Sequence, residues 1–126
     1  MTPEKAIQLA DAKKPNMMAK TEKYFHLNEI EGRVYREILM MNEHPEDMER
    51  PTYTEPEEGE EQPEMLVPDD YAMLYVYWLM CQIDVLNQEM EKYNNDRTLF
   101  EDAWGSFGDY WIKTHMPLTA RPCFRI

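Results

Sequence analysis

The chain reads as an all-α protein: a small antiparallel bundle of about four helices with a long acidic loop or hairpin-like arm between helices 2 and 3. Two observations carry this reading. Apolar residues recur at spacings of three and four in successive stretches divided by proline, glycine and asparagine. Between Tyr71 and Cys81 every residue is apolar or aromatic, the pattern of a central helix covered on most sides. The 126 residues form a single helical domain, long enough to bury a modest core without disulfides or metals.

Each element has its own signals. Thr2-Pro3-Glu4 caps and starts a first helix, which carries Ala6, Ile7, Leu9 and Ala10 on one stripe and ends at Lys13-Lys14 before Pro15-Asn16. Thr21 suits the cap of a second helix from about Glu22 to Asn42. Its buried face is Leu27, Ile30, Val34, Ile38 and Met41, widened by Tyr24, Tyr35 and Leu39. Gly32 inside this pattern costs roughly 1 kcal/mol relative to Ala, which suits a close helix contact. Residues 45–68 hold five prolines and Gly59, a longer irregular stretch than compact domains normally carry without a use for it. Arg50 to Thr54 and Met65 to Val67 each suit a short strand, and residues 55–64 suit disorder.

Pro68-Asp69-Asp70 launches a third helix to about Tyr93, with Val85, Leu86 and Met90 expected inward. Asn94-Asn95-Asp96 reads as the turn into a fourth helix, about 96–114, whose buried stripe is Phe100, Ala103, Trp104, Phe107 and Trp111. Gly105 and Gly108 invite a close backbone, and the short turn makes helices three and four an αα-hairpin. Residues 116–126 form an irregular tail with a basic end at Arg121 and Arg125.

Charge is uneven. Of the net charge of −12, nine units fall within residues 43–64, where ten carboxylates face Arg50 alone. Such a chain does not bind nucleic acid electrostatically, because phosphate binding needs Lys and Arg to displace counterions, and it avoids anionic membranes. A solvated loop is the ordinary use of such a charge run. The chain opens without the apolar core of a secretory signal, and its longest apolar run is too short to span a bilayer. With Cys81 in an apolar helix and Cys123 near the end, no disulfide framework is present, which suits a reducing, cytoplasmic setting.

No catalytic chemistry stands out. His26, His44 and His115 lack partners at metal-ligand spacing, phosphate-loop, dinucleotide and nucleophile-elbow motifs are missing, and a cysteine in an apolar helix is inert. No catalytic residue, metal or cofactor is expected. Asp84, between Ile83 and Val85, needs a buried partner, and Arg33, Arg36 and Arg97 are the candidates. Eleven methionines are many for this length and suit core filling or an adaptable contact surface. Tyr71, Tyr75, Tyr77, Trp78 and Tyr93 exceed what one face of a monomeric helix needs, and tyrosine is favoured at interfaces. Tyr71, Tyr75, Trp78, Asp84, Trp111, Arg121 and Arg125 are therefore the candidate subunit interface.

The order of features from residue 64 to 117 is familiar. Leu66-Val67-Pro68 leads to Tyr71 and Leu74-Tyr75; Asp84, Asn87, Glu89, Tyr93-Asn94-Asn95, Phe100 and Pro117 follow. Upstream, Lys14-Pro15-Asn16, Glu31-Gly32 and Tyr35-Arg36-Glu37 fit the same pattern. This order resembles a family of head–tail connector (neck or adaptor) proteins of tailed phages and prophages of Gram-positive bacteria. The resemblance implies a helical bundle that assembles as a homo-oligomeric ring beneath the portal, meets portal and tail-completion proteins, and passes from the host cytoplasm into the virion neck. Glu55, Glu57, Glu58, Glu60, Glu61 and Glu64 would then line the channel, repelling DNA within a Debye length of about 8 Å without binding it. The competing reading is a small acidic protein that mimics DNA or regulates a basic partner. It requires carboxylates spread over a folded surface.

Overall fold

The computed structural model describes residues 1–116 and 118. Four helices form the bundle: α1 (Pro3–Lys13), α2 (Lys20–Arg33), α3 (Met73–Leu86) and α4 (Met90–Thr114). A π-helical stretch, Val34–Leu39, prolongs α2, and a single 3₁₀ turn, Asp69–Tyr71, leads into α3. No strand occurs among the described residues.

α3 is the axis, packed against α1, α2 and α4. The reason lies in its composition: Leu74, Tyr75, Val76, Leu79, Met80, Cys81 and Ile83 are all buried, more apolar surface than one neighbouring helix can cover. α2 supplies Leu27 and Ile30, its π-helical continuation supplies Val34, Ile38 and Leu39, and α4 supplies Phe100 and Phe107. At about 25 cal/mol per Å² of apolar area removed from water, this burial is the main favourable term. At the start of α1 the expected cap is present: the Thr2 hydroxyl accepts the Lys5 amide at 3.3 Å. Thr21 is not a cap. α2 starts two residues earlier, with Ala19 at the cap and no side-chain bond.

The boundary between α3 and α4 departs from the expected one. The break falls at Asn87–Glu89, and Asn94-Asn95-Asp96 lies inside α4. Asparagine is only mildly unfavourable within a helix, so tertiary contacts decide. Gln88 takes the left-handed conformation (φ 59°), Glu89 N donates to Asp84 O at 2.9 Å, and Asn87 Nδ2 donates to Pro15 O at 3.1 Å. The turn therefore comes early, leaving Val85, Leu86 and Met90 exposed instead of inward. Met41 is likewise exposed, because the π-helical turn ends the regular spacing before it.

Residues 40–68 wrap the bundle as an irregular strap. Its limbs are fastened by side chains, where short strands were expected. Asn28 holds Tyr53 twice: Asn28 Nδ2 donates to Tyr53 O at 2.9 Å, and Tyr53 N donates to Asn28 Oδ1 at 2.8 Å. On the return limb Met65 N donates to Met1 O at 2.9 Å. Tyr53, Met65 and Val67 are buried. Between the limbs, where disorder was expected, the chain reverses through Glu57–Glu60, with Gly59 at φ 79°. Gly32 does mark a close contact, but with the strap rather than a helix: a Cβ there would stand 2.4 Å from Arg50 Nη2. Gly105 and Gly108 have nothing within 4 Å of a built Cβ, so no backbone among the described residues approaches them.

Candidate assembly surface and buried polar sites

The aromatic residues assigned to a subunit interface mostly line the α3–α4 seam. Tyr75 and Asp84 are fully buried and cannot meet another subunit in this fold. Tyr71 is half-buried and stacks on Tyr110, ring centroids 4.8 Å apart. Trp78 packs on Phe100 at 5.1 Å and donates from Nε1 to His26 O at 3.1 Å. Trp111 stacks on His115 at 3.6 Å. The apparent excess of aromatics on α3 is absorbed by aromatics of α4. Arg121 and Arg125 lie outside the described residues.

Arg33 adds a cation to this seam, its Cζ 4.8 Å from the Trp104 ring and 5.8 Å from that of Trp78. Arg97 bonds Glu101 and Tyr93, each at 3.0 Å. Neither serves Asp84, and Arg36 is exposed. The partner of Asp84 is Lys14, from α1's C-terminal cap. Its Nζ stands 3.0 Å from Asp84 Oδ1 and 2.8 Å from Asp96 Oδ2. One ammonium therefore joins α1, α3 and α4 through two carboxylates. Both acids are buried, and Asp84 Oδ2 has no donor among the described residues. Burial pushes the Asp84 carboxyl up to about 6, the adjacent Asp96 adds to the shift, and Lys14 opposes it. Burial works against the Lys14 charge, but its bonds to Asp96 and Asp84 outweigh this and raise its pKa. Cys81, fully packed, is pushed up to about 12 by burial, with Asp96 and Asp84 adding to it; its thiol is inert.

A second polar site went unread in the sequence. Glu31 is fully buried. Its Oε2 accepts the Tyr53 hydroxyl and the Leu66 amide, each at 2.8 Å, and its Oε1 accepts the Tyr75 hydroxyl at 2.5 Å. Tyr75 Oη in turn accepts the Val67 amide at 3.0 Å. Glu31 thereby ties both limbs of the strap to α2 and α3. Burial raises its pKa, and the three donors offset only part of that rise. The available signal was position: Glu31 stands beside Ile30, four residues after Leu27 and three before Val34, on the buried face of α2. Lys14 gave a weaker signal, since a lysine closing a helix also suits the helix dipole.

The strap carboxylates Glu55, Glu57, Glu58, Glu60, Glu61 and Glu64 are all exposed. Glu55 reaches Lys20 at 3.7 Å and Glu64 the Met1 amine at 3.0 Å. Among the described residues no three His, Cys, Asp or Glu side chains converge to hold a metal, and no helix is long and apolar enough to cross a membrane. Comparison with protein-family models, with curated proteins and with solved structures returns no match to this chain.

Proposed function

We propose that this chain is a structural assembly protein that joins a phage or prophage capsid portal to the tail, as one copy in a ring around the DNA channel. The family resemblance of the sequence suggests the role. The observation that carries it furthest is the strap. Six carboxylates are exposed on a segment whose limbs are fixed to the bundle through Asn28 and Glu31. Repeated around an axis, such a segment forms a negative collar that DNA passes without gripping, since like charges repel at short range. The buried carboxylates serve as internal ties in this reading, and no enzymatic step is assigned to them.

The test is particle mass by light scattering over a wide concentration range, with negative-stain images, alone and with a portal ring as template. Closed rings with the strap toward the axis are expected. Rings with the strap on the outer rim overturn the reading, as does failure to associate with or without the portal. One observation favours a second reading. The strap holds its carboxylates along a defined path on a folded surface, as a DNA mimic requires. A mimic would displace duplex DNA from a basic DNA-binding protein at stoichiometric concentration; the connector would not.

A further inference from the structure

The outer face of α2 and the outgoing limb of the strap enclose an open groove of about 260 Å³, lined by Thr21, Tyr24, Phe25, Asn28, Tyr53 and Glu55, among others. Phe25 is 63% exposed, and its one aromatic neighbour is the edge of His26 at 5.5 Å. Around it stand three half-exposed carboxylates with weak partners. Glu22 and Glu29 share His26, at 3.9 and 3.4 Å, and Glu55 is 3.7 Å from a Lys20 already committed to Glu4 at 2.6 Å. The groove thus offers an aromatic floor within an acidic rim. A complementary segment has an apolar side chain between cations.

The chain contains one such segment. Residues 121–126 read Arg-Pro-Cys-Phe-Arg-Ile, and no carboxylate occurs from 117 to 126. Its own groove lies at the limit of its reach. Leu118 N donates to Met41 O at 2.9 Å, which fixes the start of the segment beyond the far end of the α2 and π-helical rod. From Phe25 to Leu39 that rod extends about 21 Å at 1.5 Å per residue. The stretch from Leu118 to Phe124 spans at most about 21 Å fully extended, so only a taut chain would bring Phe124 to its own groove, whereas the groove of a second copy imposes no such constraint.

We propose that residues 121–126 of one copy dock in the α2–strap groove of a second copy, with Phe124 against Phe25 and the two arginines on Glu22, Glu29 and Glu55. The two surfaces differ, so the contact is head-to-tail, and repetition gives a ring if the rotation closes. This deepens the reading of the chain as a self-assembling protein and rests on it.

The experiment uses the full chain and sedimentation velocity. Wild type is expected to associate with rising concentration. Arg121→Glu with Arg125→Glu in one variant, and Glu22→Arg with Glu55→Arg in another, are each expected to weaken association at least tenfold. An equimolar mixture of the two is expected to recover association, because the native tail of the groove variant meets the native groove of the tail variant. Phe25→Ala should weaken association while leaving the thermal unfolding midpoint unchanged, because the ring is exposed. Three results overturn the proposal: a wild type that stays monomeric into the millimolar range, variants that associate like wild type, or a mixture that does not recover. Rings that form normally from groove variants sink this inference and leave the connector reading standing. Groove-dependent dimers that never close on a portal do the reverse.

Discussion

Near the start of α3 a buried carboxylate is satisfied by hydroxyls and amides; near its end two buried carboxylates share one ammonium. Among the described residues Glu31 has three donors and no ion-pair partner, whereas Asp84 and Asp96 have a countercharge and too few donors. The difference shows two ways of keeping an acid inside an apolar bundle. Neutral donors leave desolvation only partly offset, so the acid is held closer to its protonated form. A shared cation offsets charge but fixes three helices on a single atom, and its removal exposes the full cost of two buried anions.

Lys14→Met is therefore the most damaging single change, expected to cost about 3–5 kcal/mol in urea unfolding, since it strands both carboxylates. Asp84→Asn tests the same clamp from the other side. It leaves one lysine with one carboxylate and is expected to cost less than about 1 kcal/mol. Equal costs for the two variants would show that the ammonium is not the keystone. At the other site, Tyr75→Phe removes a donor from Glu31 and the acceptor of the Val67 amide. The expected loss is about 1–3 kcal/mol, and hydrogen exchange at Val67 should accelerate with it.

pH separates the two sites further. The Asp84 carboxyl has a folded pKa above its ordinary value. Its favourable contribution is complete below about pH 4 and is lost as pH rises through about 6. Wild type should lose stability relative to Asp84→Asn across that window, read as a lead in urea midpoint over the variant that shrinks as pH rises. A lead that grows instead would mean that Lys14 outweighs burial. The smallest expected effect is the control: Glu57→Gln with Glu58→Gln on the exposed strap should change stability by less than about 0.5 kcal/mol. A larger loss would show that strap charge is structurally engaged.

Much of this architecture was legible in the residues. The apolar run of α3 announced a central helix, and the three-four spacing in α2 and α4 named most of the core. The turn between α3 and α4 was not legible, because Asn94-Asn95-Asp96 has turn chemistry locally while Asp96 is needed on α4 to reach Lys14 on α1, a contact between residues distant in sequence. The burial of Tyr75 and Asp84, two of the residues assigned to an interface, was hidden for a related reason. Periodicity shows that α3 is rich in aromatics, but only the packing of Tyr71 on Phe107 and Tyr110, of Trp78 on Phe100, and the bond from Tyr75 to Glu31 show where they go. Glu31 was visible as a misplaced acid on an apolar face; its hydroxyl and amide donors, brought by a segment more than twenty residues away, were not.

The double hold of Glu31 Oε2 on Tyr53 and Leu66 gives the strap a further property. One oxygen pins both its outgoing and returning limbs, and Gln62 adds bonds to Glu4 N and the Tyr24 hydroxyl, so the turn at 57–60 is a closed loop whose length is decoupled from the bundle. Lengthening such a loop costs only about 0.6 kcal/mol for each doubling, and Gly59 stands at its tip with no described residue within 4 Å of a built Cβ. The bundle is thus built like a handle with an interchangeable end: a peptide or small domain inserted at Gly59 should leave the melting of the four helices almost unchanged, and the chain can vary what it presents there without redesigning what it stands on.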